Sequence, residues 1–268
     1  MNNIPLWEKS VPFWDESIPQ TPPYLTPYLP SPDAEKKRGA IIICPGGSYV
    51  MKADHEGKSA AKLFSKRGFT CFLLDYRVYP YGYEAIRADV NRAVRWVRYH
   101  ADEYGFSPDK IALMGFSAGG HLAAMGATCY DSGRDDGDEI DRVSCRPDAS
   151  VPCYAVISLT DDFAHDHTRF ALLGKTSAEE RDELRRTYSP HLAADSNTPP
   201  MFLWHTAEDN CVDVENSIAM AASLSRHKVP FELHVFDKGP HSIGVDESFP
   251  GAGQWVALFE NWIARLGF

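Results

Sequence analysis

Residues 111–129, IALMGFSAGGHLAAMGATC, constrain this chain more than any other stretch. Ile111 to Met114 is an apolar run of buried-strand length, and Gly115-Phe116-Ser117-Ala118-Gly119 turns the chain. Gly120 to Cys129 is then small and apolar at helical spacing. A strand, a G-x-S-x-G turn and a helix in that order predict a nucleophile elbow. Such a turn strains the serine backbone and lifts its Oγ above the sheet edge. Gly115 and Gly119 stand two residues either side, where a Cβ would collide with the tight strand–helix crossing. The helix N-terminus beneath Ser117 offers free N–H groups and a positive dipole end to a developing oxyanion. G-x-S-x-G alone arises often by chance, so the rest of the chain must supply an acid, a histidine and a donor loop.

The flanking sequence alternates strand and helix. Ala40 to Cys44 is a continuous β-branched run, the pattern of a strand covered on both faces, and it ends in Pro45-Gly46-Gly47-Ser48-Tyr49. Glu56 to Lys66 reads as an amphipathic helix, with Asp54 as N-cap and Gly68 as stop. Phe69 to Leu74 is a second buried strand, followed by a long helix over about 84–104. That helix places Ile86, Val90, Val94, Val97 and Ala101 on one face, while Arg87, Arg92, Arg95 and Arg98 read as a solvated stripe. Pro152 to Leu159, Pro200 to His205 and Phe231 to Phe236 complete the strands. Helices are expected near 177–187, 213–227 and 252–266. The class is α/β, a mostly parallel central sheet flanked by helices, with ligands at the carboxyl ends of the strands. One domain, 1–268, is expected. Residues 1–32 hold eight of the 19 prolines and read as an extended arm with one or two edge strands, Tyr24 to Leu29 the best candidate. Polar excursions are expected over about 130–150 and 161–190, the second a small lid insertion.

Charge and cysteine usage narrow the partners. A net charge of -10 disfavours nucleic acid and anionic membrane surfaces and admits a neutral or cationic small substrate. No stretch has the length of a membrane span. MNNIPLWEKSVPFWDES shows no basic region followed by an apolar one, which makes the cytoplasm the expected compartment. The six cysteines lack metal-ligand spacing, and Cys44, Cys71 and Cys153 read as buried free thiols. No metal or cofactor is expected. The proline-rich arm leaves room for a homo-oligomer.

A serine hydroxyl needs a base, and the base needs a carboxylate to hold its tautomer. His241 stands in KGPHSIG after the last strand and before the final helix, where the order Ser, acid, His requires the base. His234 and His205 lie in strands and read as satisfied core or loop residues, and His121 packs under the elbow. His165 and His167 lack further ligands at metal spacing. For the acid, Asp209 follows the strand MFLWH through the loop TAED; Asp161 and Asp162, after the preceding strand, are its rivals. Asp213 reads as a helix-start residue, and Glu208 points elsewhere if Asp209 faces the histidine. Pro45-Gly46-Gly47-Ser48 follows the strand expected beside the nucleophile strand's neighbour and has the position of an oxyanion loop. Its candidate donors are the N–H groups of Gly47 and Ser48, joined by that of Ala118. Tyr49, Tyr79, Tyr81 and Tyr83 lie in loops near strand ends, readable either as packing or as a platform for a sugar.

PGGSY, DHEGKSAAKLFSKRG, LDYRVYP, MGFSAGGHLA, PPMFLWHTAEDNCVDVENS and FELHVFDKGPH occur in that order. As a set they resemble the small esterases of the α/β-hydrolase superfamily called acetyl-xylan-esterase-like. The resemblance runs from about residue 24 to the C-terminus. It implies an α/β-hydrolase fold and hydrolysis of short-chain carboxylic esters, in some members acetyl groups on plant oligosaccharides. It implies Ser117, Asp209 and His241 as the catalytic triad and PGGS as the oxyanion loop, with Ser48 where related loops often carry a third glycine. His55-Glu56-Gly57 also matches and is read as a structural helix start. Amide hydrolysis by the same triad, as in a formamidase or small peptidase, is the alternative. A hydrolase-fold binding protein would typically lack a triad member.

Overall fold

The computed structural model describes residues 3–174 and 176–268. In chain order it runs β1 (Ile4–Pro5), β2 (Tyr24–Tyr28), β3 (Ala40–Cys44), α1 (Asp54–Lys66), β4 (Thr70–Asp75), α2 (Tyr83–Tyr99) and α3 (Ala101–Tyr104). The elbow follows as β5 (Ile111–Phe116) and α4 (Ala118–Thr128), then β6 (Ala149–Cys153). The remainder is α5 (Asp166–Leu173), α6 (Ala178–Thr187), α7 (Pro190–Ala193), β7 (Met201–Thr206), α8 (Glu215–Arg226), β8 (Phe231–Phe236) and α9 (Trp255–Arg265).

The strands form one sheet in the order β1-β2-β4-β3-β5-β6-β7-β8, parallel from β4 to β8 and antiparallel where the arm joins at β1 and β2. From β3 the chain passes through α1 to β4 on one side, and β5 then pairs with β3 on the other. The sheet therefore reverses its direction of growth between β3 and β5, and the loops leaving these strands open a crevice for a ligand. Cys44 and Gly115 stand opposite in that register, which sets the PGGS loop directly against the elbow. The sequence reading put the two strands one place further apart.

Apolar residues alternate across the sheet. Ile42 and Leu113 pack with Ile86, Val90 and Val94 of α2 and Leu122 of α4. Ile41, Ile43, Met114 and Phe116 face Phe64 of α1 and Trp255 and Phe259 of α9. Each such side chain contributes about 1.5–3 kcal/mol when fully buried, so both faces of the central strands must be covered. Cys44, Cys71 and Cys153 are buried free thiols in these layers, as expected.

Three local expectations are corrected. Helix α1 begins at Asp54 itself, with Ala53 in the cap position, and Asp54 pairs with Lys58 along the first turn at 2.9 Å. Strand β6 ends at Cys153 instead of running from Pro152 to Leu159. Tyr154 takes a φ of 34°, and the N–H groups of Ile157 and Ser158 donate to the Asn216 side chain at 2.8 and 3.0 Å instead of to a neighbouring strand. Of the α2 arginines expected as a solvated stripe, Arg87 is exposed, but Arg92, Arg95 and Arg98 are not. Buried Arg92 forks onto Asp138 at 2.7 and 2.5 Å, Arg95 pairs with Asp131, and Arg98 reaches Asp148 at 2.8 Å. These cations anchor the polar excursion after α4 to the core.

Candidate active site

Ser117 sits between β5 and α4 with φ 54° and ψ -120°, a backbone conformation that a side chain seldom adopts. The crossing enforces it. A Cβ on Gly115 would strike the Gly119 carbonyl, and one on Gly119 would strike the carbonyls of Cys44 and Pro45. The Ser117 N–H donates to the Cys153 carbonyl at 3.0 Å, and its own carbonyl accepts from His121 N–H at 3.0 Å. Ser117 as a whole is 7% exposed.

His241 and Asp209 meet this serine. His241 Nε2 lies 2.8 Å from Ser117 Oγ, and His241 Nδ1 lies 2.6 Å from Asp209 Oδ2. A carboxylate accepts only, so Nδ1 carries the proton and Nε2 faces the hydroxyl as acceptor. Asp209 follows β7, and its Oδ1 accepts from the Cys211 and Val212 N–H groups at 2.9 Å each. Burial alone would raise the Asp209 carboxyl. Hydrogen bonds from His205 and His241, the charge of His241 and the Val212 N–H outweigh burial and hold it well below the usual carboxylate range.

The rival groups lie elsewhere. Asp161 accepts from Ser158 Oγ at 2.7 Å and pairs with His191 at 3.2 Å, while Asp162 is exposed. Glu208 accepts weakly from Gly239 N–H at 3.4 Å, and Asp213 accepts the Glu215 N–H at the start of α8. His234 pairs with Glu232 at 3.0 Å. His165 caps α5 through Thr168. His121 is buried under the elbow, between Tyr49 Oη and the Tyr188 carbonyl at 2.8 Å each.

The PGGS loop folds back on itself beside Ser117. The Gly46 N–H donates to Glu56 Oε2 at 2.9 Å, and the Gly47 carbonyl accepts from Val50 and Met51 N–H. Gly47, Ser48 and Tyr49 have φ values of 125°, 53° and 59°. Ser48 thus stands where a glycine would be unstrained. Among the described residues the Gly47 and Ser48 N–H groups have no acceptor. Ala118 opens α4, so its N–H has no partner within the helix. A Cβ on Gly46 would lie 3.0 Å from Ser117 Cβ, which shows how closely the loop approaches the serine.

Of the four loop tyrosines, Tyr49 and Tyr81 are core residues and Tyr83 packs against Tyr188 with ring centroids 4.9 Å apart. Tyr79 alone is open, 41% exposed, with its ring 5.9 Å from that of Phe170, itself 59% exposed. The Tyr79 N–H donates to the Tyr49 carbonyl at 2.7 Å, which ties this aromatic pair to the end of the PGGS loop.

Sequence reading missed two contributors. His205, taken as a satisfied core or loop histidine, is buried with Nε2 3.2 Å from Asp209 Oδ2, so it adds a donor to the acid. Its spacing of four residues from Asp209 is the only signal, and a strand followed by a turn hides it. Tyr154, read as part of a strand, packs its ring at 70° to that of His241 with centroids 5.0 Å apart.

Residues 25–224 match the BD-FAE family. The endo-1,4-beta-xylanase B of Butyrivibrio fibrisolvens is 37% identical over 252 residues, which cover 91% of this chain and 39% of that protein. An acetylxylan esterase of Xylanibacter ruminicola is 30% identical over 231 residues, which cover 85% of this chain and 45% of that protein. The chain thus spans less than half the length of either relative. The crystal structure of an acetyl ester-xyloside bifunctional hydrolase from Caldicellulosiruptor lactoaceticus superposes with a TM-score of 0.93 at 42% identity, covering 100% of this chain and 97% of that one. A thermophilic esterase from Thermogutta terrifontis superposes at 0.75 with 26% identity, covering 92% and 89%. With the predicted α/β-hydrolase architecture in place and the match spanning most of the sheet, this chain belongs to the BD-FAE family.

Proposed function

We propose that this chain is a serine carboxylesterase for short acyl esters, with acetyl groups on xylo-oligosaccharides or related sugars as its substrate class. The observation that carries the reading is the unbroken chain from Asp209 Oδ2 through His241 to Ser117 Oγ, with links of 2.6 and 2.8 Å, beside unpaired backbone N–H groups. The relatives named above, two of them described as acetyl ester or acetylxylan hydrolases, support the acyl group.

In this mechanism Ser117 Oγ attacks the ester carbonyl while His241 Nε2 takes its proton. Asp209 holds the imidazole tautomer and stabilises the imidazolium that forms. The tetrahedral oxygen takes hydrogen bonds from the N–H groups of Gly47, Ser48 and Ala118, already oriented before substrate arrives. His241 then protonates the departing sugar alcohol, leaving an acyl-Ser117 ester. Water, activated by the same imidazole, releases acetate and restores the serine. Tyr79 and Phe170 form an apolar platform on which the sugar leaving group stacks.

The test is hydrolysis of p-nitrophenyl esters from acetyl to decanoyl, followed by acetate release from acetylated xylo-oligosaccharides. Turnover that declines with acyl length, and that Ser117→Ala reduces at least on the order of 10³-fold, is the expected result. Cleavage of a matched anilide in preference to the ester would replace this reading with amide hydrolysis.

A further inference from the structure

Among the described residues, seven non-glycine residues take a positive φ, and five of them stand around the triad. Ser48, Tyr49, Ser117, Tyr154 and Ser242 have φ values of 53°, 59°, 54°, 34° and 68°, while Phe13 and Lys228 lie elsewhere. Such conformations cost about 1–3 kcal/mol each and persist only where the surroundings over-determine them. These five residues belong to four segments, the loops leaving β3, β5, β6 and β8, which lie far apart in sequence. Something must hold those segments in register.

One side chain bonds three of the four. Glu56, in the first turn of α1, is 1% exposed. Its Oε2 accepts the Gly46 N–H at 2.9 Å, and its Oε1 accepts Tyr154 Oη–H at 2.9 Å and Ser242 Oγ–H at 2.5 Å. Gly46 immediately precedes the two candidate oxyanion donors, and Ser242 immediately follows His241. Tyr154 Oη in turn accepts the Gly244 N–H at 3.0 Å, and its ring abuts the His241 imidazole. His55 Nε2 adds a contact to Ser242 Oγ at 3.1 Å.

Burying a carboxylate costs several kcal/mol, and here its three donors are all neutral. A merely packed helix start would not need a charge at this point. A geometric requirement explains it. Two carboxylate oxygens are acceptor-only and can take three converging donors, which no neutral side chain of that length can do. The bond to Gly46 also removes that N–H from the oxyanion site and leaves the following two, which have no acceptor among the described residues, as its candidate donors.

We propose that Glu56 is a positioning residue that locks the oxyanion loop and the His241 loop into a single reactive register. The proposal rests on the triad reading above. Glu56 touches neither substrate nor the reacting atoms. It acts through Gly46 on the donors and through Ser242 and Tyr154 on the base. Its effect falls on the transition state, where donors and base must be aligned together, and much less on substrate binding.

Substitutions separate this role from simple support. Glu56→Gln keeps the length but offers one acceptor oxygen and an amide that must donate. Gly46 N–H cannot reverse, and Tyr154 Oη already accepts from Gly244, so at least one bond is lost. Glu56→Asp is a methylene short and cannot span the loops. Glu56→Ala removes all three bonds. The experiment measures kcat and KM on p-nitrophenyl acetate, with thermal melting and the fraction of sites titrated by diethyl p-nitrophenyl phosphate. We expect kcat per titrated site to fall about 10-fold in Glu56→Gln and about 100-fold in Glu56→Ala, with KM within about threefold of wild type. Ser242→Ala should give a smaller loss that does not add to that of Glu56→Ala, because the alanine at 56 has already removed the bond to Ser242. Wild-type kcat per titrated site in Glu56→Gln and Glu56→Ala would overturn the proposal. So would losses explained wholly by fewer titrated sites and a lower melting point, since Glu56 would then only support the fold. A wild type that neither turns over ester nor takes the phosphate label would sink the esterase reading first.

Discussion

Asp209 Oδ2 is shared by two imidazoles, with His241 Nδ1 at 2.6 Å and His205 Nε2 at 3.2 Å. The second imidazole is itself fixed, since its Nδ1 meets Ser217 Oγ at 2.8 Å and its Nε2 also meets the Val212 carbonyl at 2.9 Å. Every lone pair that could let the acid swing away from His241 is therefore engaged. Asp209→Asn keeps the shape but presents an amide that favours the wrong His241 tautomer. We expect kcat on p-nitrophenyl acetate to fall on the order of 10³–10⁴-fold with little change in KM. A loss under tenfold in stopped-assay kinetics would remove Asp209 from its proposed role.

The strain at Ser117 predicts a stability difference between two inactive variants. Ser117→Ala removes the hydroxyl but keeps a Cβ at φ 54° and ψ -120°. Ser117→Gly also removes the steric penalty, offset in part by greater freedom of the unfolded chain. Ser117→Gly should therefore be more stable than Ser117→Ala by about 1 kcal/mol, read as the difference in urea midpoints at equal slope. Equal midpoints would mean that the elbow stores no strain at the nucleophile.

Local patterns made the elbow legible. The β5 run, the glycine spacing and the small residues of α4 are all set within one short segment, and the acid and base follow as strand-end residues in a forced order. What escaped reading depends on partners distant in sequence. The arginines of α2 look solvated by helical period because Asp131, Asp138 and Asp148, which neutralise Arg95, Arg92 and Arg98, lie on the far side of the elbow. The end of β6 was hidden for a similar reason. Residues 154–159 stay apolar, but Asn216 on α8 takes over the backbone hydrogen bonds of Ile157 and Ser158. Glu56 was correctly placed at a helix start, yet its three partners come from β3, β6 and β8 loops that only the folded sheet brings together.

His121 makes stability depend on pH in a defined window. Burial lowers its pKa from 6.5 to about 4, against a small opposing effect of the Tyr188 carbonyl. Between those values the unfolded chain binds a proton that the folded protein refuses. The stabilising contribution is thus complete above pH 6.5 and is lost progressively as pH falls toward 4, amounting to roughly 3 kcal/mol across the window. Denaturation midpoints measured from pH 7 to 4.5 should fall more steeply for wild type than for His121→Gln. Parallel curves would show that His121 does not carry this linkage.

The last prediction concerns a buried ion pair outside the site. Arg77 and Asp89 have no exposed side-chain surface, and the guanidinium reaches the carboxylate through Nε at 3.0 Å and Nη2 at 2.6 Å. Burial pushes the Asp89 carboxyl up to about 6 even with Arg77 beside it, so the carboxylate depends on that cation to stay charged at neutral pH. The same guanidinium donates to the Pro12 carbonyl at 2.6 Å, tying the N-terminal arm to α2. Without Arg77 the buried Asp89 must either stay an uncompensated charge or take up a proton, and breaking such a pair costs about 3–5 kcal/mol. Arg77→Gln should therefore lower the urea midpoint strongly while leaving kcat per folded molecule near wild type, because neither residue contacts the Ser117 crevice. A large fall in kcat at temperatures where the variant remains folded would instead tie the arm to catalysis.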